Sequence, residues 1–148
     1  EMDADGSHNP NYLPTIVGKI FEGYDVVVGS RYILGGSIQG WGLRRRLTSS
    51  GANFLARQLC SIRVKDSTSG YRAFKAEALK RIGLERVSSS GYAFQVEMLF
   101  WTERLGLKVG ETPIVFIDRV RARSKLGLKE MVKFVGMCLR LFFKRLSR

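Results

Sequence analysis

An uninterrupted β-branched run, Val26-Val27-Val28, stands between Asp25 and the tetrapeptide Gly29-Ser30-Arg31-Tyr32. A run of this kind, with no polar residue alternating into it, reads as a buried strand that delivers Arg31 to a loop at its C-terminal end. Such ends are where open α/β sheets place ligands. Pro10 falls where a first helical turn tolerates proline, with Asn9 as its cap, and Tyr12 to Phe21 carries apolar residues at helical spacing. Residues 33–42 hold Gly35, Gly36, Gly40 and Gly42 and read as a flexible loop. Helical periodicity resumes from Leu43 to Cys60 through Leu47, Phe54, Leu55 and Leu59. Ala76 to Ile82 and Gln95 to Leu105 read as further helices, the latter flanked by Gly91 and Gly106. Lys108 to Asp118 reads as a strand interrupted by Pro113, which suits an edge or a bulge. The fold class is therefore α/β, and 148 residues with 45% hydrophobic content suffice for one core and one domain.

The opening residues, Glu1-Met2-Asp3-Ala4-Asp5-Gly6, read as the end of a strand running into a loop, so the chain is expected to be cut at its N-terminus, through a domain. Twenty-five Lys and Arg against thirteen Asp and Glu give a net charge of +12, which favours polyanions: nucleic acid, anionic lipid headgroups or a phosphorylated substrate. Arg44, Arg45 and Arg46 open a helix, where cations oppose the macrodipole. The cluster reads either as a phosphate site or as a solvated basic face. Cys60 and Cys138 are distant in sequence, without the spacing of a zinc site or a disulfide framework, and read as two buried thiols of a reducing compartment. No stretch approaches the roughly 18 consecutive apolar residues of a membrane span, and no signal-peptide pattern opens the chain.

The last segment, residues 128–146, repeats apolar residues at 128, 131, 132, 135, 138, 139, 142 and 146, with Lys129, Lys133, Arg140, Lys144 and Arg145 between them. This is an amphipathic helix with a basic polar face. Phe134 and Phe143 broaden its apolar stripe, which favours a helix lying in a membrane interface over one packed on the core. Residues 128–148 are accordingly expected to be a membrane-interface segment, distinct from residues 1–127.

Asp3 and Asp5 lie two residues apart, so on an extended backbone their carboxylates point to one side and can share a hard divalent cation. An Asp-x-Asp alone is weak evidence, because most are solvated turn residues. Here it opens an ordered series: Asp3-Ala4-Asp5, Gly29-Ser30-Arg31-Tyr32, Arg44-Arg45-Arg46 with Gly51-Ala52-Asn53, then Asp66-Ser67-Thr68-Ser69-Gly70-Tyr71-Arg72-Ala73-Phe74. It continues with Gly91-Tyr92-Ala93-Phe94-Gln95-Val96-Glu97 and a basic stretch from Asp118-Arg119 to Ser124-Lys125. Across almost the whole chain this order resembles the dolichol-phosphate mannose synthases, inverting glycosyltransferases of the Rossmann-like GT-A fold.

The resemblance implies that residues 1–127 are the acceptor-side part of a GT-A domain. It also implies transfer of mannose from GDP-mannose to dolichyl or polyprenyl phosphate. Asp3 and Asp5 would bind Mg²⁺ or Mn²⁺ with the donor diphosphate, while Arg31, Arg45 and the hydroxyl of Ser49 would cradle the acceptor phosphate. Arg119 and Lys125 would belong to a basic loop closing over the phosphates, and Asp66, Gln95 and Glu97 would line the sugar and acceptor region. Asp5, Arg31, Arg45 and Arg119 are the residues expected to carry catalysis. The implied location is a membrane surface, the cytosolic face of the endoplasmic reticulum or a prokaryotic cytoplasmic membrane, with room for small membrane-anchoring subunits. The strands that hold the nucleotide in this family are not in the chain, so the fragment alone is expected to be inactive. Two positions depart from the family pattern: Gly6-Ser7 follows the metal motif, which leaves a third ligand from Ser7 in doubt, and Ala122 stands where glycine is common.

A lipid monophosphate is ionised near neutral pH and can attack an anomeric carbon without a protein base, so the protein has to position it and neutralise charge. That suits a chain rich in Arg with one histidine, His8, which reads as a structural neighbour of the metal loop. Two other readings stay open: the same chemistry with glucose or another sugar, and a basic nucleic-acid- or membrane-binding module without catalysis. A nucleic-acid partner is the less expected, because no zinc pattern or RNA-binding signature is present and Asp3 and Asp5 would repel phosphates unless a metal intervened.

Overall fold

The computed structural model describes residues 1–118 and 127–147. A 3₁₀ turn at Pro10–Tyr12 leads into α1 (Leu13–Phe21), and the Asn9 side chain accepts the Asn11 N–H at 3.0 Å as its cap. There follow β1 (Val26–Ser30), β2 (Ser37–Gln39), α2 (Leu43–Cys60), β3 (Arg72–Phe74) and α3 (Ala76–Ile82). A second 3₁₀ turn, Leu84–Arg86, precedes α4 (Gly91–Arg104), β4 (Val109–Pro113), β5 (Val115–Ile117) and α5 (Leu128–Leu146).

β1 is the central strand of a three-stranded sheet ordered β3-β1-β4 and is buried along its whole length. It runs antiparallel to β3, with Val26 opposite Phe74, and parallel to β4, with Val26 opposite Val109 and Ser30 opposite Pro113. The two-residue period of a strand sends its valines to opposite faces. Val26 and Val28 join the larger core with Ala56 and Cys60 of α2, Ile82 of α3, Val96 and Leu99 of α4, and Phe134 and Leu141 of α5. Val27 meets Ile16 of α1, Tyr71 and Ile114 on the other face. The β-branched run is thus covered on both sides, as an uninterrupted apolar strand requires.

The strand expected over residues 108–118 divides at Ile114, between two sheets. Its N–H donates to Ser30 O at 3.0 Å, and its carbonyl accepts Ser37 N–H at 3.0 Å. β4 therefore stays beside β1, while β5 pairs in parallel with β2, Ile38 opposite Phe116. Pro113, which has no N–H to give, closes the edge strand β4. β2 lies inside the glycine-rich segment read as a loop. The chain reaches it only by passing hard against β1, since a Cβ on Gly36 would stand 2.5 Å from Ser30 O. β3 is a further strand that periodicity did not reveal, because three residues are too short for an alternation. α4 starts at Gly91, four residues before the expected start.

Two expectations about burial change. In α2 the inward residues are Asn53, Ala56 and Cys60, whereas Leu47 and Phe54 point outward, 64% and 62% exposed. Cys60 and Cys138, distant in sequence, meet where α2 packs on α5; the Cys60 thiol lies 3.9 Å from the Cys138 carbonyl, and both residues are buried. α5 packs on the core through Phe134, Met137, Cys138 and Leu141, so Phe134 belongs to the inward face. A second apolar face, Leu128, Met131, Val132, Val135, Leu139, Phe143 and Leu146, remains exposed, and Phe142 is half-buried. No helix among the described residues is long and apolar enough to cross a membrane.

Candidate acceptor cavity and metal loop

Glu1 exchanges backbone hydrogen bonds with Arg72 of β3, at 2.8 and 3.0 Å, and residues 4–8 then turn away, with Gly6 at φ +81°, as the end of a strand running into a loop would. Each aspartate there is held by a neighbour. Asp5 Oδ1 accepts both the backbone N–H of Ser7 at 3.0 Å and its hydroxyl at 2.5 Å, and Ser7 is buried. The hydroxyl thus serves to orient the Asp5 carboxylate. Asp3 N–H donates to His8 Nδ1 at 3.0 Å. His8 is itself buried, stacked on Tyr71 at 4.8 Å between ring centroids and edge-on to Phe116 at 5.5 Å. The histidine is a brace of the aspartate turn, as its position in the sequence suggested.

Asp3 and Asp5 offer hard carboxylate oxygens, the donor type Mg²⁺ and Mn²⁺ prefer. Among the described residues no cluster of three or more His, Cys, Asp or Glu forms. A cation here would rest on two carboxylates and take its remaining ligands from a diphosphate and water, which is how Mg²⁺ is commonly held. The residues fit such an ion. Gln95 reaches the same region, its Nε2 donating to Glu1 Oε1 at 2.5 Å, while its Oε1 is buried without a partner among the described residues.

Arg31 leaves β1 and is clamped by Asp66. Its Nε donates to Oδ2 at 2.7 Å, its second guanidinium nitrogen to Oδ1 at 2.7 Å, and its backbone N–H to Oδ2 at 2.9 Å. Both side chains are buried. Burial opposes the Arg31 charge, but the hydrogen bonds and attraction of Asp66 outweigh it, so its pKa stands above the ordinary arginine value. The carboxylate of Asp66 is thereby committed to Arg31. Behind this pair lies Arg72, fully buried, donating to the carbonyls of Ser67 at 2.8 Å, Ser69 at 2.7 Å and Gln95 at 2.6 Å. Burial pushes its pKa down to about 10, against the pull of Glu1 and Asp66. Arg72 fastens the 66–70 loop to α4.

The three arginines that open α2 separate in space. Arg45 pairs with Asp118 at 2.7 Å and lies 4.1 Å above the Trp41 ring. Its Nε–H is buried with no partner among the described residues. Arg46 ties β2 to the helix by donating to Ile38 O at 2.7 Å. Arg44 stays exposed. One helical turn beyond Arg45, Ser49 accepts the Tyr32 hydroxyl at 2.8 Å.

These groups line one end of a cavity of about 470 Å³ between α2 and α5. Arg31, Trp41, Arg45, Ser49 and Thr68 make the polar end; Ala52, Leu55, Ala93, Met131, Phe134 and Val135 line most of the rest, together with Thr48, Tyr92, Glu130 and Lys133. Ser88 to Ser90 form one wall. Glu97, buried in α4, does not line the cavity but fixes that wall. It accepts the N–H groups of Ser88 and Ser89 at 3.3 and 2.9 Å and pairs with Arg140 of α5 at 3.0 Å. Arg140 also reaches the hydroxyls of Ser88 and Ser89. Arg119 and Lys125 lie outside the described residues. Trp41 joins the site without having been marked in the sequence, where its place between Gly40 and Gly42 was the one available signal, while Arg72 and Arg140 were named there only within the 66–74 motif and on the basic face of the last helix.

Residues 1–83 match the family model described as Glycosyl transferase family 2. Among curated proteins the chain is 40% identical over 127 residues, 86% of its length, to "Undecaprenyl-phosphate mannosyltransferase" of Micrococcus luteus, covering 52% of that protein. It is equally similar, 40% over 127 residues and 86% of its length, to "Polyprenol monophosphomannose synthase" of Mycolicibacterium smegmatis, of which it covers 48%. The chain spans about half the length of these relatives. Its mixed sheet and covering helices fit part of a Rossmann-like GT-A domain, as the resemblance implied. From its aspartate turn to the far end of α3, this chain belongs to glycosyl transferase family 2.

Proposed function

We propose that the protein carrying this chain transfers mannose from GDP-mannose to a polyprenyl phosphate at a membrane surface, with Mg²⁺ or Mn²⁺ and with inversion. The observation that carries the reading is the make-up of the cavity: two arginines and a serine at one end, one guanidinium N–H buried without a partner among the described residues, and largely apolar walls beyond. A phosphate with a hydrocarbon tail matches that division, and the names of the two relatives point to the same acceptor class.

In this reading an acceptor phosphate oxygen attacks the anomeric carbon of mannose. The new carbon–oxygen bond forms as the bond to the donor diphosphate breaks, the nucleoside diphosphate leaves with the electron pair, and a single displacement inverts the carbon. Arg45 and Arg31 hold the acceptor phosphate, Ser49 adds a hydroxyl, and no protein base is required. A divalent ion held at Asp3 and Asp5 would neutralise charge on the departing diphosphate.

The exposed stripe of α5 supports the membrane part, because Met131 and Val135 belong both to that stripe and to the cavity lining. A lipid tail leaving the cavity would pass along the apolar face that a bilayer would cover. A donor screen with polyprenyl phosphate, with product identified by mass, tests the function. Mannosyl phospholipid formed only with GDP-mannose, and lost on chelation, is the expected result. A glucosyl product, or turnover indifferent to chelator, overturns it.

A further inference from the structure

We propose that Trp41 binds the acceptor phosphate, its indole Nε1–H donating to a phosphate oxygen held by Arg31 and Arg45. This rests on the acceptor reading of the cavity. Trp41 lines the polar end, and its ring is packed on three sides: the Arg45 guanidinium lies 4.1 Å and the Arg31 guanidinium 5.2 Å from its centroid, and Phe116 meets it edge-on at 5.4 Å. A phenylalanine would also supply a ring face, one weaker toward a cation. Tryptophan alone adds a donor, and this donor is buried with no partner among the described residues.

A buried N–H is normally satisfied, so an unmet one on a side chain that lines a cavity points to the cavity's occupant as its acceptor. The Arg45 Nε–H is unmet in the same way, and the two groups belong to side chains in contact. An oxyanion reached by both would accept both N–H groups. The two guanidiniums on one ring are each paired with a carboxylate, Arg31 with Asp66 and Arg45 with Asp118. The Trp101 indole N–H is buried and unmet as well, but Trp101 does not line this cavity and its ring faces Lys144. It is the internal control.

The chain has two tryptophans, so its ¹H–¹⁵N spectrum carries two indole cross-peaks, assigned with Trp41→Phe and Trp101→Phe. Titration of the 148-residue chain with farnesyl phosphate should move the Trp41 peak downfield and leave Trp101 in place. Inorganic phosphate should produce the same displacement at higher concentration, which identifies phosphate as the group recognised, and farnesol should not produce it. Trp41→Phe should bind farnesyl phosphate about tenfold more weakly, the loss expected for one hydrogen bond to a charged group. An indole peak that farnesol displaces equally, or a Trp41→Phe affinity within about twofold of the parent, overturns the proposal. If Arg45→Gln lowers affinity while Trp41→Phe does not, the Trp41 inference alone falls. If farnesyl phosphate leaves the spectrum unchanged, the acceptor reading falls with it.

Discussion

Asp66 binds Arg31 through both carboxylate oxygens, with both side chains buried. Asp66→Asn would leave a buried guanidinium without its counter-charge, and the variant should lose about 3–5 kcal/mol of stability, read as a drop in the denaturant midpoint. An unshifted midpoint would mean the pair is solvated in solution. Asp3 and Asp5 make the opposite prediction, because both lie in an exposed turn. Asp3→Asn or Asp5→Asn should leave the melting temperature nearly unchanged, because asparagine keeps an oxygen acceptor such as the one Ser7 uses on Asp5, while removing most transferase activity of the protein carrying the chain, since the charge that would hold the ion is lost. Full turnover in either variant, insensitive to chelator, removes the metal from the mechanism. The identities of these residues were readable from the motif order, but their roles were less so. That Asp66 is occupied by Arg31, and Glu97 by Ser88, Ser89 and Arg140, depends on partners 35 and 43 residues distant for the two arginines, which no local pattern encodes.

α5 carries the greatest difference between pattern and position. Its length follows from the apolar period, but one period describes three faces at once: Phe134, Met137, Cys138 and Leu141 inward, Val132, Val135, Leu139 and Phe143 outward, and the lysines between. The apolar stripe is therefore both a core contact and an exposed surface. Leu141→Ala should cost about 2–5 kcal/mol of stability, as a fully buried leucine in a packed core does. Val132→Ser with Phe143→Ser should leave the melting temperature nearly unchanged and abolish the salt-resistant part of vesicle binding in a co-sedimentation series. Binding that falls with salt should survive in that variant, since each basic residue near an anionic surface contributes about 1 kcal/mol. A chain that ignores anionic and neutral vesicles alike would leave α5 as a core helix only. The same helix holds the serine wall of the cavity through Arg140, so the element expected at the membrane is also tied to the acceptor cavity.

Across the molecule, Asp25 joins three elements at the start of β1. It accepts the Lys108 N–H at 2.8 Å before β4 and the Lys75 ammonium at 3.3 Å before α3. The Lys108 hydrogen bond, with help from Lys75 and against a desolvation cost, holds its pKa below the ordinary 3.8. The unfolded chain then takes up the proton more readily than the folded one, so this contribution is complete above 3.8 and is lost as pH falls through the lower folded value. Asp25→Asn should reduce stability at neutral pH, and its melting temperatures should converge with the parent's in acid. Parallel curves down to the acid limit would show the carboxylate to be unlinked to folding. The α/β class, the buried strand Val26–Ser30, the extents of α2, α3 and α5 and the order of the site motifs were all determined by sequence alone, because β-branched runs and helical periods are local and repeat within a few residues. Tertiary structure alone decided the division of one strand between two sheets at Ile114, the inward turn of Asn53 and Ala56 in place of Leu47 and Phe54, and the meeting of Cys60 with Cys138. Each of these depends on what the rest of the chain places opposite a residue: a strand is claimed by whichever neighbour satisfies its N–H and C=O groups, and a helix buries the face that fits its neighbour.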